Sequence, residues 1–225
     1  MSCTNDISNV NCRVQRDCVF LAEADHRLLN NLQTIASLLS LQSRRCSSQE
    51  AAAQLASAAE RVTSLQRIHR QLHSFEPGGT VAFRKVLENL RDEFDVVLSP
   101  NGGGVPLISV RGVEVQLPAR TAAALAFIAN ELLTNASKYG SGVIIADLTV
   151  SPYGCMLSVS NDGPSLSDKF DVSQSTGLGM AIIQAFAGQI GGTLAVEHAG
   201  PMGGPTFQIR FPWAQNTQAK EAAQC

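Results

Sequence analysis

The residues with the types and spacing to do chemistry begin with Asp25 and His26, side by side in Asp25-His26-Arg27-Leu28-Leu29-Asn30-Asn31-Leu32. Leu21, Leu28, Leu32, Ile35 and Leu39 recur at heptad-like intervals, which predicts an amphipathic helix. Asp25 interrupts its seam where another apolar residue is due. His26 is one residue on, about 100° round the helix, so it flanks the seam and faces water. An imidazole beside a carboxylate can act as a nucleophile, because the carboxylate holds the ring in one tautomer and accepts a proton. Asn30 lies one turn further on the same face. Spacing alone also fits a bland reading, a solvated or packed side chain.

A second constellation is Glu131, Asn135 and Lys138, which at i, i+4 and i+7 form one stripe on a predicted helix over 118–139. An acid, an amide and an amine on one face offer oxygen ligands to Mg²⁺ and a point charge to a polyphosphate. The same spacing also describes a solvated face with a Glu-to-Lys brace. A third is Ser175-Thr176-Gly177-Leu178-Gly179-Met180 before a predicted helix, where glycines let backbone amides approach a phosphate at the positive end of the helix dipole. No Walker-type lysine loop occurs, which excludes a P-loop site.

The elements that must position these residues follow from periodicity. Helical character is predicted from about Gln15 to Arg45, broken at Cys46-Ser47-Ser48, with Ser48 set to cap a second helix from about Gln49 to His73. Two long helices joined by a short loop are antiparallel neighbours. Each apolar stripe is only half covered in a lone hairpin, so a homodimer forming a four-helix bundle is expected. His69 falls on the seam and reads as packed. Glu76-Pro77-Gly78-Gly79 forbids helix continuation and marks a domain boundary. Beyond it the pattern predicts a helix from Thr80 to about Leu98, strands near 105–110 and 113–117, the helix 118–139 opened by Pro118, strands 143–150 and 155–160, a helix from about Gly179 to Ile190, and strands 193–198 and 206–211. That order reads as α+β, one mixed sheet with helices on one face. The expected domains are a flexible tail at 1–15, a hairpin at 16–76, an α/β domain at 80–213 and a second tail at 214–225.

Composition bounds the function. A net charge of −2 offers no basic excess to displace counterions, which argues against nucleic-acid binding. The six cysteines show no CxxC pair and no metal-ligand spacing with the four histidines, as expected of reduced thiols in a cytoplasmic protein. The longest apolar run, 122–129, is far short of the ~20 residues of a membrane span, so no membrane insertion is expected.

Three stretches carry a family resemblance. Residues 23–45 resemble the phosphoacceptor helix of sensor histidine kinases, in the subgroup with a His-Arg-x-x-Asn-Asn core, and residues 60–73 resemble the second helix of that subgroup. Residues 130–140, Asn-Glu-Leu-Leu-Thr-Asn-Ala-Ser-Lys-Tyr-Gly, resemble the N box of the Bergerat-type ATP-binding fold, an α/β sandwich. The resemblance implies His26 as the phosphorylated residue with Asp25, Asn30 and Glu131 in support. It implies ATP and Mg²⁺ as cofactors, Asn135 as the metal ligand, and Lys138 and Tyr139 at the nucleotide. Glu131 is left between two roles, organising the metal or acting as base. Gly177, Leu178 and Gly179 match the G2 box. Asn161, Asp162 and Gly163 match the G1 box, with Asn161 where the family has its adenine-reading Asp and Ser165 where it has a second Gly. The implied function is autophosphorylation of His26 and transfer to an aspartate of a response-regulator receiver domain, with input either from a separate sensory protein or from further parts of a longer kinase to which this sequence belongs. The alternative is a histidine phosphotransferase whose ATP domain serves only as scaffold.

Overall fold

The computed structural model describes residues 5–73, 79–98, 106–140, 142–167, 170–175 and 177–213. The chain divides into two compact units, Met1–Arg70 and Gln71–Cys225. The proposed boundary at 76–79 falls largely outside the described residues, as do the loop expected at 99–104 and the tail from 214.

The first unit is an α-hairpin. Helix α1 spans Asn5–Arg45, so it begins well inside the stretch expected as a tail, and helix α2 starts at Gln49 as expected. Arg44 and Arg45 in the last turn of α1 complement its dipole. The Ser48 hydroxyl accepts the Ala51 N–H at 3.3 Å, an N-cap bond that satisfies one of the unpaired amides of α2. Across the turn, the Ser43 hydroxyl donates to the Ala52 carbonyl at 2.8 Å. Further along, the buried Gln66 amide donates to the Leu29 carbonyl at 2.7 Å and fixes the register of the two helices. Ala36 and Ala59 are buried.

The second unit is an α/β sandwich. Residues 80–82, expected to open a helix, instead form strand β1 (Thr80–Ala82), paired antiparallel with β3 (Gln116–Pro118). Its β-branched Thr80 and Val81 suit a strand, and the Val81↔Leu117 pair buries both side chains. Helix α3 (Phe83–Leu98) follows, with Phe83, Val86, Leu87 and Leu90 buried on one face. Strand β2 (Leu107–Gly112) pairs in parallel with β4 (Val143–Ser151); β5 (Gly154–Asn161), β7 (Thr206–Phe211) and β6 (Thr193–Glu197) complete a mixed sheet in the order β2-β4-β5-β7-β6. Alternate residues Ile144, Ala146, Leu148, Leu157, Val159 and Ile209 are buried, which puts the core on one sheet face. Helix α4 (Ala119–Tyr139) lies on β4 and β5, and helix α5 (Leu178–Gln189) packs on α4 through stacked Phe127 and Phe186 rings, centroids 4.8 Å apart. Pro118, expected as the first residue of α4, occupies its N-cap, so the helix begins one residue later than expected.

Candidate functional site

His26 is exposed on α1, as is Asn30 one turn on, so the two share a solvent-facing surface. The Asp25 side chain lies outside the described residues, which leaves its expected pairing with His26 a proposal. Beside His26, Arg27 forks onto the Glu23 carboxylate, its Nη2 donating at 2.7 Å. Both partners are mostly exposed, so the pair is worth about 0.3–0.5 kcal/mol at most and either charge is free to meet another ligand.

The second set of residues gathers where α4 ends against the turn after β5. Helix α4 buries Leu125, Ile128, Leu132 and Ala136 toward the sheet, which rotates the Glu131–Asn135–Lys138 stripe along its flank. Burial falls along that stripe: Glu131 is 4% exposed, Asn135 is half-buried, and Lys138 is exposed. A carboxylate held inside, an amide at the margin and an ammonium at the rim form a graded polar edge. Tyr139, 69% exposed, ends the helix.

Asn161, Asp162 and Gly163 turn directly against that helix end. A side chain on Gly163 would run into the Tyr139 carbonyl, and one on Gly140 would crowd the Asn161 Cβ at 3.3 Å. The Asp162 carboxylate accepts the Gly142 N–H at 3.0 Å, tying the turn to the segment leaving α4. Asn161, only 5% exposed, accepts the Gly163 N–H on its Oδ1 at 3.0 Å. Both side chains thus accept backbone N–H groups of the turn, Asp162 that of Gly142 and Asn161 that of Gly163. The structure brings Lys138, Tyr139, Asn161, Asp162 and Gly163 to one corner.

Gly177 caps α5 with extended backbone (φ −66°, ψ 136°), Leu178 and Gly179 form its first turn, and the Gly177 carbonyl accepts the Ala181 N–H at 3.1 Å. The amides ahead of that bond are free for an anion. No described contact joins these glycines to the Asn161 turn. Sequence reading missed Gly140 and Gly204, whose missing side chains make the slot around Asn161; Gly140 ends the N-box stretch and Gly203-Gly204 precede the last strand, the only signal either gave.

Among the described residues no group of three or more His, Cys, Asp or Glu side chains could hold a metal by itself. The half-buried Asn135 would offer Mg²⁺ one neutral side-chain oxygen. No described helix is long and apolar enough to cross a membrane.

Comparison with known proteins matches two segments of the chain. Residues 23–96 match the family described as histidine kinase, and residues 121–215 match the histidine kinase-, DNA gyrase B- and HSP90-like ATPase family. Over 209 residues the chain is 30% identical to the sensor histidine kinase PdtaS of Mycolicibacterium smegmatis, covering 89% of this chain and 41% of that protein. It is 26% identical over 204 residues to the blue-light-activated histidine kinase 2 of Erythrobacter litoralis, covering 87% and 57%. The chain thus spans about half the length of these relatives. Among solved structures, the histidine kinase domain from the Erythrobacter litoralis EL346 blue-light activated histidine kinase shares the fold, with a TM-score of 0.60 at 21% identity over 88% of this chain and 95% of that one. The Acinetobacter baumannii histidine kinase AdeS does so at 0.53 and 18%, over 74% and 82%.

Proposed function

From the two matched segments, one of the family described as histidine kinase and one of an ATPase family that includes histidine kinases, we propose that the chain is a histidine kinase that phosphorylates its own His26 from Mg-ATP and passes the group to an aspartate of a response-regulator receiver domain. The observation that carries the reading is the exposure of His26 on a helix inside the matched segment, where a large phosphoryl donor can reach it. In the transfer the bond from the γ-phosphorus to its bridging oxygen breaks, a phosphorus–nitrogen bond forms, and ADP leaves. Catalysis is mostly positioning and charge neutralisation. Asp25 orients the imidazole and Arg27 meets phosphate or receiver carboxylates. In the second unit Lys138 and the Gly177–Gly179 amides hold phosphates, Asn135 holds Mg²⁺, and the base lies against Asn161 and Tyr139. Mg²⁺ supplies neutralisation of phosphate charge.

Two copies pair through the hairpin. Leu28, Ile35, Leu38 and Leu41 are all more than 40% exposed, an apolar strip that a second hairpin would cover. Incubating the chain with γ-labelled ATP and Mg²⁺ is expected to give acid-labile, base-stable phosphate that is absent from His26→Ala. Label persisting in that variant would overturn the assignment.

A second reading, a phosphotransferase that takes its phosphoryl group from a receiver and never from ATP, is favoured by Asn161, a neutral amide where the resemblance implies a carboxylate. Calorimetric titration with Mg-ATP separates the two, since only the kinase binds it.

A further inference from the structure

Asn161 is the last residue of β5, opposite Ile144 of β4, and its side chain accepts one hydrogen bond and lies close to three glycines, Gly140, Gly163 and Gly204. The Gly163 N–H donates to one atom of the amide, and a donor requires an acceptor, so that atom is Oδ1. Turning the amide over would set the Gly163 N–H against an NH₂. Crowding also fixes the chain: side-chain atoms on Gly140 or Gly204 would press on Asn161, so its Cβ and Oδ1 already fill the slot between them. The remaining polar atom is Nδ2, a donor with two hydrogens. Among the described residues nothing accepts from it.

This orientation inverts what a carboxylate would do at the same place. With Asp, one oxygen would take the Gly163 N–H and the other would accept from a base's amino group. With Asn, the atom not engaged by Gly163 donates. Adenine presents a 6-amino donor, so the two groups would meet donor to donor, and a polar group buried without a partner is costly. A 6-oxopurine presents an acceptor oxygen at that position and satisfies Nδ2.

We propose that the base site at Asn161 takes 6-oxopurine nucleoside triphosphates at least as well as ATP, with Nδ2 donating to the 6-keto oxygen. The proposal rests on the reading that a nucleotide base lies against Asn161. Calorimetric titration of the full chain, with Mg²⁺, against ATP, GTP and ITP tests it. ITP is the sharpest probe because it differs from ATP only at the purine 6 and 1 positions. ITP is expected to bind at least as tightly as ATP, and Asn161→Asp to shift the ITP-to-ATP affinity ratio at least tenfold toward ATP. Tighter binding of ATP than ITP by the native chain would overturn the proposal while leaving the nucleotide site standing, as would an unchanged ratio in a folded Asn161→Asp. Absence of binding by all three triphosphates would instead remove the nucleotide site itself, and the proposal with it. If Asn161→Asp does not fold, the native ITP-to-ATP ratio alone decides.

Discussion

Gly163 shows how little freedom single residues have around the cleft. Its hydrogens face the Tyr139 carbonyl and the Gly140 Cα, so a methyl group must push the turn away from α4. Gly163→Ala is expected to cost about 1–3 kcal/mol by overpacking and to weaken nucleotide binding, because the displaced turn carries Asn161. Thermal melting together with a nucleotide titration reads both effects. Cys155 tests the core differently. It is buried in β5, and burial pushes its thiol up from 9.0 to about 11. Burial disfavours the thiolate in the folded state, so above pH 9 the unfolded chain gives up this proton first and binds fewer protons. Stability is therefore expected to fall between about pH 9 and 11, and to fall less in Cys155→Ala; equal slopes in denaturant titrations of the two would contradict this. The same low reactivity leaves Cys155 unlabelled by thiol reagents until the protein unfolds. The exposure of His26 was legible from the helical pattern around it. The direction of the Asn161 amide was not, since it depends on Gly163 folding back.

At the scale of elements, the helix signals were read almost to the residue where caps and breakers stood in the chain. Ser48 predicted the start of α2, and its hydroxyl accepts the Ala51 N–H there. Ser48→Ala is expected to cost about 1 kcal/mol, seen as fraying of α2 in hydrogen exchange at its first turn. Errors fell where tertiary pairing overrode local pattern. Thr80–Ala82 is a strand because Gln116–Pro118 pairs with it, and that partner is remote in sequence. The Gln66-to-Leu29 bond was equally invisible, since only the packed hairpin sets the two residues opposite each other. Parallel pairing of β2 with β4, across the whole of α4, belongs to the same class.

For the whole molecule, the apolar strip on α1 sets the expected assembly. Ile35 is 46% and Leu38 is 55% exposed, which is more apolar surface than a lone hairpin covers. Ile35→Glu with Leu38→Glu is expected to convert a dimer to a monomer by light scattering while leaving the α/β unit's melting unchanged. A native chain that is monomeric at high concentration would contradict the dimer. The sequence by itself determined the division into a helical hairpin and an α/β layer, and it marked His26, Glu131, Asn135 and Lys138. These rest on periodicity and on spacing within single helices, and a helix carries that information along its own few turns. Only the tertiary structure decided that the Asn161–Gly163 turn lies against the end of α4, and that Asp162 accepts the Gly142 N–H. It alone decided which atom of Asn161 accepts the Gly163 N–H and which is left to donate. Those facts come from segments some twenty residues apart meeting at a sheet edge, and no local pattern encodes the hydrogen bonds made where they meet.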